Sequence, residues 1–409
     1  MLKKGQRGDK MFLTKEEERI LDGEEGEVKQ LAMKLLVKLG EKFKAEKLIK
    51  ISSVQIAGIS YKTIGDPGLE FIESLVSHGA RVCVPAFMNP AGMDLENWKE
   101  MGIKEEFAEK QRRIVEALKK AGVIPASTCT PYLCGLLPGK NEHIAWSESS
   151  AVIFANSVIG ALTNREGGPS ALASAVIGKT PFYGLHIKEN RKPSMLVEFL
   201  GKIKDECDMN ALAYCIAKES KSIPYVKGVN ISDTDLLKGF GATLAAYNSL
   251  AIFHMENITP EAKEFCNGNI DFEEKIKVDS QDLEKAKKEM GDEAEEEADI
   301  IMIGCPHTSA KEIAEINEKL GNRRMRKEMW IFTSKPVKVL IERSKIAEEL
   351  GKKNVRIIAD TCPVVAPIED LGIKCVVTNS GKATFYLPSA CKAKVIFMPI
   401  HEILERFSE

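Results

Sequence analysis

Three of the ten cysteines lie at positions where they could bind an inorganic group. Cys129 follows the segment VIPAST, Cys305 follows IIMIG and Cys362 follows RIIADT, and each segment is typical of a buried strand. A proline follows each cysteine within two residues and restricts the backbone there. Because open α/β sheets bind ligands at the carboxyl ends of their strands, we expect the three thiols to line one crevice.

Three thiolates from three separate loops suit an iron–sulfur cluster that is held on three corners. The fourth iron would keep an open coordination position, which can act as a Lewis acid on a substrate hydroxyl that leaves as water. The same residues also fit buried structural cysteines, and no CxxC spacing separates the two interpretations. The pattern therefore leaves both open. Cys134 would be a further ligand only if it converged with Cys129 on one ion, and the remaining cysteines are explained by packing.

Small polar residues follow two further predicted strands. The segments AGISYKTIGDPG (57–68) and FMNPAGMD (87–94) offer backbone amides together with Ser60 and Asn89. Arg165 lies in TNREGGPSA, within an otherwise apolar region. Its guanidinium could bind a carboxylate through two N–H groups, or it could pair with a neighbouring glutamate.

The segment VVTNSGKATFY places Ser380 and Lys382 after another predicted strand. Loop amides and a lysine together resemble a small anion-binding site. The segment lacks the GxxxxGK[ST] pattern, so it does not predict a nucleotide site. His143 and His307 lie near two of the three cysteines, and each could be a ligand, an acid–base group or a hydrogen-bonded buried residue.

The composition excludes several classes of function. The 58 basic and 60 acidic residues give a net charge of −2 without a basic stripe, which argues against nucleic-acid binding. No apolar stretch is long enough to span a membrane, and the first residues lack the apolar core of a signal peptide. We therefore expect a cytoplasmic protein, in which cysteines stay reduced or bind metal.

The predicted elements alternate between helices and strands, which favours an α/β fold with largely parallel strands. Thr14 and Glu17 are spaced for a capping box at the start of the first helix. Strands are predicted at 47–58, 80–87 and 123–128, and helices at 66–79, 104–122, 149–163 and 238–257.

The last third of the chain predicts a doubly wound domain. Five short apolar runs lie at 298–305, 328–334, 354–362, 373–380 and 393–400. We therefore expect an N-terminal α/β region of two intertwined subdomains over 1–290 and a C-terminal doubly wound domain over 291–409, with 279–299 as a helical approach or linker.

Five long motifs make the chain similar to the aconitase X family: STCTPYLCG, HIAWSESSAVIFANSVIGALTNREGGPSA, IGCPHTSAKEI, ADTCPVV and VVTNSGKATFYLP. The resemblance implies an aconitase-like multi-domain fold with parallel or mixed sheets flanked by helices. It also implies that Cys129, Cys305 and Cys362 ligate an iron–sulfur cluster, [4Fe–4S] or, as isolated, [3Fe–4S].

The resemblance further implies a substrate site in the loops after the strands. Its residues are Gly58, Ile59, Ser60, Asn89 and Pro90, with Ser380 and Lys382 near by. A phosphate at the far end of the substrate needs a cation, for which Lys382 and Arg165 are the candidates.

Two branches of the family act on different substrates. A fused single-chain form dehydrates cis-3-hydroxy-L-proline, and a two-subunit archaeal form dehydrates (R)-5-phosphomevalonate to trans-anhydromevalonate 5-phosphate on a mevalonate route to isoprenoids. Because the sequence ends soon after VIFMPIHEILERF, the resemblance implies the large chain of the two-subunit hydro-lyase. A small swivel-domain subunit is then the expected partner, and one of its serines is the expected catalytic base.

Two alternatives belong to other classes of protein. One is a non-catalytic iron–sulfur sensor that binds RNA, against which the net charge argues. The other is a structural protein whose cysteines bind zinc.

Overall fold

The computed structural model describes residues 11–219, 222–231, 233–266, 271–292 and 298–409. Within these residues, helices cover parallel sheets, so the α/β architecture predicted from the sequence is confirmed. No helix in the described ranges is long and apolar enough to cross a membrane.

The first region builds one three-stranded sheet and one two-stranded sheet. Its elements are α1 (Lys15–Asp22), α2 (Glu27–Lys42), β1 (Leu48–Lys50), β2 (Val54–Ile56), α3 (Tyr61–Ser77), β3 (Ala86–Met88), α4 (Glu105–Lys120), β4 (Ala145–Trp146), α5 (Ser149–Phe154), α6 (Gly168–Ile177) and β5 (Lys179–Pro181). The parallel order is β3-β2-β4, while β1 pairs with β5 in the antiparallel sense. The predicted capping box of Thr14 and Glu17 is present at the start of α1.

The second region builds a four-stranded parallel sheet in the order β8-β7-β6-β9. Its elements are β6 (Met195–Phe199), α7 (Glu206–Glu219), β7 (Pro224–Lys227), α8 (Thr234–Asn248), β8 (His254–Met255), α9 (Ala262–Cys266), β9 (Glu274–Val278) and α10 (Ser280–Met290). Helices α7 and α8 pack on this sheet through a fully buried apolar core.

The third region is the doubly wound unit that the five apolar runs predict, and all five form strands. Its elements are β10 (Ile300–Ile303), α11 (Ala310–Leu320), β11 (Met329–Thr333), α12 (Lys335–Arg343), α13 (Ile346–Lys352), β12 (Val355–Ala359), β13 (Cys375–Thr378), α14 (Gly381–Ala390), β14 (Lys394–Phe397) and α15 (Ile400–Arg406). The parallel order β12-β11-β10-β13-β14 reverses direction between β10 and β13. Such a reversal opens a crevice at the carboxyl ends of the two strands, where ligands bind.

Three predicted strands of the first region differ in the structure. The run 47–58 forms two strands that belong to different sheets, and only the end of 80–87 contributes to β3. The run 123–128 forms a single bridge, Phe87 to Ile124, instead of a strand. Pro85 and Pro125 explain the two shortened runs, because proline has no N–H to donate to a neighbouring strand.

Predicted helices are confirmed with shifted ends. The run 238–257 is helical only to Asn248, where Ser249 takes a left-handed conformation and the chain turns toward β8. The segment 149–163 forms α5 followed by a π-helical turn, Ala155–Ile159. The predicted linker 279–299 contains α10, and its residues 293–297 lie outside the described residues. The boundary at 290/291 between two domains stays a prediction.

Candidate active site

Cys129, Cys305 and Cys362 lie in three buried loops, and each side chain is less than a tenth exposed. Cys305 and Cys362 follow β10 and β12, as the sequence predicts. Cys129 does not lie at a strand end, because the preceding residues form only the Ile124 bridge. Its loop is instead held against β3 by the amide of Thr128, which donates to the carbonyl of Met88 at 2.9 Å.

The Cys129 and Cys305 loops contact each other directly. The backbone N–H of His307 donates to Sγ of Cys129 at 3.2 Å. The hydroxyl of Ser380, at the reversal point of the sheet, donates to the carbonyl of Cys305. Ser380 also caps α14 by accepting a hydrogen bond from the amide of Ala383 at 3.0 Å, which fixes this hydroxyl beside the Cys305 loop.

Burial raises the pKa of all three thiols. The pKa of Cys305 is raised to about 12 and that of Cys362 to about 11, and that of Cys129 lies well above its ordinary value. The charge of Lys382 acts in the opposite direction on each thiol. Metal binding at this place would therefore release protons from the thiols, because the thiolate is the ligand.

A buried ion pair joins Lys382 of α14 to Glu148, the residue before α5. Burial alone would raise the pKa of Glu148, but the charge and hydrogen bond of Lys382, with a hydrogen bond from Asn89, lower it to about 2. Asn89 Nδ2 donates to Glu148 Oε2 at 2.8 Å. The predicted substrate residues Asn89 and Lys382 therefore meet through an acid that sequence reasoning missed.

Gln55 is a second missed residue, and it lies at the centre of this network. Its side-chain N–H groups donate to Asn89 Oδ1 at 3.2 Å and to the carbonyl of Thr128 at 2.9 Å. Its Oε1 accepts a hydrogen bond from the amide of Glu148 at 3.0 Å. A glutamine within a buried strand and an acid between two apolar runs are the sequence signals that could have identified Gln55 and Glu148.

The loop of Gly58, Ile59 and Ser60 also reaches the cysteine loops. The hydroxyl of Ser60 donates to the carbonyl of Val365, three residues after Cys362, at 2.8 Å. Gly58 takes a left-handed φ of +74°, which favours glycine at this turn. Ile59 is 1% exposed and its side chain packs in the apolar core, and its contact with substrate stays a prediction.

The loop of Asn89 and Pro90 is attached to the third region. The amide of Ala91 donates to the carbonyl of Asp360 at 2.7 Å, beside Cys362. Pro90 is buried within this contact. The first and third regions are thus bonded to each other on either side of Cys362.

Arg165 differs from the other candidates because its side chain is exposed. Within the described residues it makes no hydrogen bond or ion pair, yet its charge helps to lower the pKa of Glu148. It lies just before α6, whose N-cap is Gly167. Arg165 therefore provides an available cation at the edge of the site, whereas Lys382 is buried and paired.

His143 is separate from this site. Its Nδ1 lies 3.1 Å from Nδ1 of His186, and both rings pack in the first region. His307, by contrast, has a hydrogen-bond partner on both ring nitrogens within the site.

The donor set fits a cluster better than a single metal ion. Among the described residues, no group of three His, Cys, Asp or Glu side chains could hold one metal ion. Zinc needs its ligands around one point, whereas an iron–sulfur cluster binds each cysteine at a different iron. Three buried thiols on three separate loops, with one lysine near by, match the arrangement that an iron–sulfur cluster needs. Near Cys129 and Cys362 in sequence, three buried hydroxyls have no hydrogen-bond partner among the described residues: Ser127, Tyr132 and Thr361.

Comparisons with known proteins agree over nearly all of the chain. Models of the aconitase X first, second and third domains match residues 10–189, 193–288 and 298–408. A phosphomevalonate dehydratase large subunit of Methanocaldococcus jannaschii is 49% identical, covering 97% of this chain and 100% of the relative. The holo-form aconitase X structure of Thermococcus kodakaraensis has a TM-score of 0.90 at 42% identity, covering 97% of this chain and 100% of that chain.

A second group of relatives is more distant. A cis-3-hydroxy-L-proline dehydratase of Pseudomonas aeruginosa is 32% identical, and the match covers 93% of this chain but 67% of the relative.

Proposed function

This chain belongs to the aconitase X family, and we propose that it is the large subunit of a phosphomevalonate dehydratase. The reaction is the removal of water from (R)-5-phosphomevalonate to give trans-anhydromevalonate 5-phosphate. The observation that carries the proposal is the meeting of three buried cysteine loops and the Lys382–Glu148 pair. The more distant hydroxyproline dehydratases supply the second candidate substrate, cis-3-hydroxy-L-proline.

Cys129, Cys305 and Cys362 would hold an iron–sulfur cluster, [4Fe–4S] or, as isolated, [3Fe–4S]. When bound, such a cluster supplies Lewis acidity for the departure of a hydroxyl group. The protein around it contributes a buried environment, in which charges act more strongly than in water. Ser60 and Ser380 hold the loops of Cys362 and Cys305 in place through their carbonyl contacts.

Lys382 suits the reacting end of the substrate. A lysine has three N–H donors, and Lys382 uses them on Glu148 and, at 3.4 Å, on Ser150. One donor remains for a substrate carboxylate, beside the amide side chain of Asn89. Because Glu148 already neutralises Lys382, we assign the phosphate to Arg165, which is exposed and unpaired among the described residues.

Neither Glu148 nor His307 is a suitable general base at neutral pH. Glu148, with a pKa of about 2, is too weak a base, and both nitrogens of His307 are engaged in hydrogen bonds. This supports a base from the partner, a serine of the small swivel-domain subunit in a heterodimer or higher assembly.

Nine cysteines of the described residues are free thiols, which is in keeping with a cytoplasmic location.

The test of the cluster assignment is the iron and sulfide content of anaerobically purified protein. We expect iron and sulfide in the wild type and loss of both in a variant with serine at Cys129, Cys305 and Cys362. Cys207→Ser is the matched control, because Cys207 is fully buried in α7 of the second region. Iron retained in the triple variant would refute the ligand assignment.

The test of the substrate is turnover with the small subunit present. Phosphomevalonate should be dehydrated and cis-3-hydroxy-L-proline should not. Arg165→Met should raise KM for phosphomevalonate by about tenfold or more, since a charge-assisted contact to the phosphate contributes about 1.5–3 kcal/mol. Turnover of hydroxyproline, or an unchanged KM in the variant, would contradict the substrate or the phosphate assignment respectively.

A further inference from the structure

His307 lies among all three cysteine loops and is fully buried. Its ring Nδ1 is 3.0 Å from the hydroxyl of Thr128, the residue before Cys129. Its ring Nε2 is 2.8 Å from the carbonyl oxygen of Thr361, the residue before Cys362. His307 itself is two residues after Cys305, so one side chain links the three loops.

The chemistry of the partners fixes which ring nitrogen carries the proton. A carbonyl oxygen can only accept, so Nε2–H of His307 donates to Thr361. Nδ1 is then the acceptor, and the hydroxyl of Thr128 donates to it. The same Thr128 oxygen accepts the amide of Thr130 at 3.0 Å, so the hydroxyl also orders the chain on the far side of Cys129.

The backbone of His307 is held from the second region. Lys238 of α8 is 3% exposed, and its Nζ donates to the carbonyl of His307 at 3.1 Å. The lysine is paired with Asp235, at 3.1 Å, and with Glu312 of α11. His307 is thereby held through its ring by the first and third regions and through its carbonyl by the second region.

We propose that His307 is a positioning residue that holds the three cysteine loops together for the group they bind. This inference rests on the proposed function for the identity of that group, but the linkage of the loops does not require it. His307 is not proposed as a ligand or as an acid–base residue, because both ring nitrogens are used in holding the loops.

Three variants separate the two hydrogen bonds. In His307→Gln the side-chain N–H₂ can replace Nε2–H and keep the bond to Thr361. In His307→Asn the side-chain oxygen can replace Nδ1 and keep the bond to Thr128. His307→Ala removes both.

The first measurement is the alkylation rate of each cysteine in metal-free, full-length protein, read by peptide mass spectrometry. Cys207 of α7 and Cys375 at the start of β13, which are 0% and 2% exposed, are internal controls for global opening. Relative to them, alkylation of Cys129 and Cys362 should be faster by about tenfold in His307→Ala, the factor for losing about one buried hydrogen bond. His307→Gln should protect Cys362 more than Cys129, and His307→Asn should do the reverse.

The second measurement is the rate at which anaerobically reconstituted protein loses iron and visible absorption to a chelator. We expect the fastest loss in His307→Ala and partial rescue in the other two variants. Equal acceleration of alkylation at Cys129, Cys362 and the two control cysteines, or no acceleration at any of them, would overturn the proposal. A wild type without iron and sulfide would instead refute the proposed cluster, while the alkylation pattern would still decide the role of His307.

Discussion

Breaking the Lys382–Glu148 pair should destabilise the protein by about 3 kcal/mol. Both side chains are largely buried, at 9% and 15% exposure. The pKa of Glu148 falls from an ordinary value of 4.5 to about 2. At about 1.4 kcal/mol per pKa unit, this lowering corresponds to about 3 kcal/mol of stabilisation at neutral pH. Removal of one partner of a buried pair costs a similar amount, about 3–5 kcal/mol, because the other charge stays buried.

A double-mutant cycle measures this coupling. Glu148→Gln, Lys382→Met and the double variant are compared with wild type by urea denaturation of the metal-free protein at pH 7. Each single variant should lower the free energy of unfolding, and the double variant should cost less than their sum by about 2–3 kcal/mol. Equal dependence on urea concentration across the set is the control that the same amount of structure unfolds.

The effect of Glu148 should also depend on pH in a defined direction. Because the pKa of Glu148 is lower in the folded state, its contribution is complete above pH 4.5 and is lost as the pH falls toward 2. The difference between wild type and Glu148→Gln should therefore shrink between pH 4.5 and 2. The charges would be shown not to be coupled by either of two results. One is that the losses of unfolding free energy in the two single variants add up to the loss in the double variant within about 0.5 kcal/mol; the other is that the difference between wild type and Glu148→Gln does not change with pH.

Three further perturbations test the surroundings of the site. Lys338→Met should cost about 3–5 kcal/mol in urea denaturation, because Asp94, 1% exposed and 2.9 Å from Nζ, loses its cation; a cost under about 1 kcal/mol would contradict this. His254 has a pKa lowered to about 4 by burial, so the stability it contributes is present above pH 6.5 and lost as the pH falls toward 4. His254→Gln should therefore reduce the stability lost between pH 7 and 5 by about 2 kcal/mol, and an unchanged pH profile would argue against a buried neutral imidazole. Gly304→Ala should lower iron content and melting temperature together, since at a φ of +111° its Cβ would lie 2.2 Å from a carbonyl oxygen of β11; a fully loaded variant would refute this.

The sequence predicts the third region well because its strands are continuous apolar runs. Strands β10 to β14 are buried on both faces, so each strand can be recognised in the sequence as a continuous apolar run. The first region is harder, because its strands have two or three residues and are stabilised by neighbours distant in sequence. The prolines at 85 and 125 interrupt runs that composition alone marks as strands.

The candidate site shows the same limit at the level of single residues. The cysteines are visible in the sequence because each adjoins an apolar run and a proline. Gln55 and Glu148 have no such sequence context. Their role depends on contacts with Asn89, which is 34 residues from Gln55 and 59 residues from Glu148 in the sequence. Glu148, the partner of Lys382, is 234 residues away in the sequence, which is too far for a local sequence pattern to predict the pair.

These long separations have a physical consequence for the site itself. Glu148 comes from the first region, Lys238 from the second and Lys382 from the third, and each is a buried charge that depends on a partner from another region. A buried charge without its partner is unstable, so the charged arrangement exists only when the three regions are packed together. The cysteine loops share this dependence through His307. We therefore expect the whole site to be lost in one step when the protein is titrated with urea, and iron to be released before the helix content falls. Loss of helix at a lower urea concentration than loss of iron would contradict this.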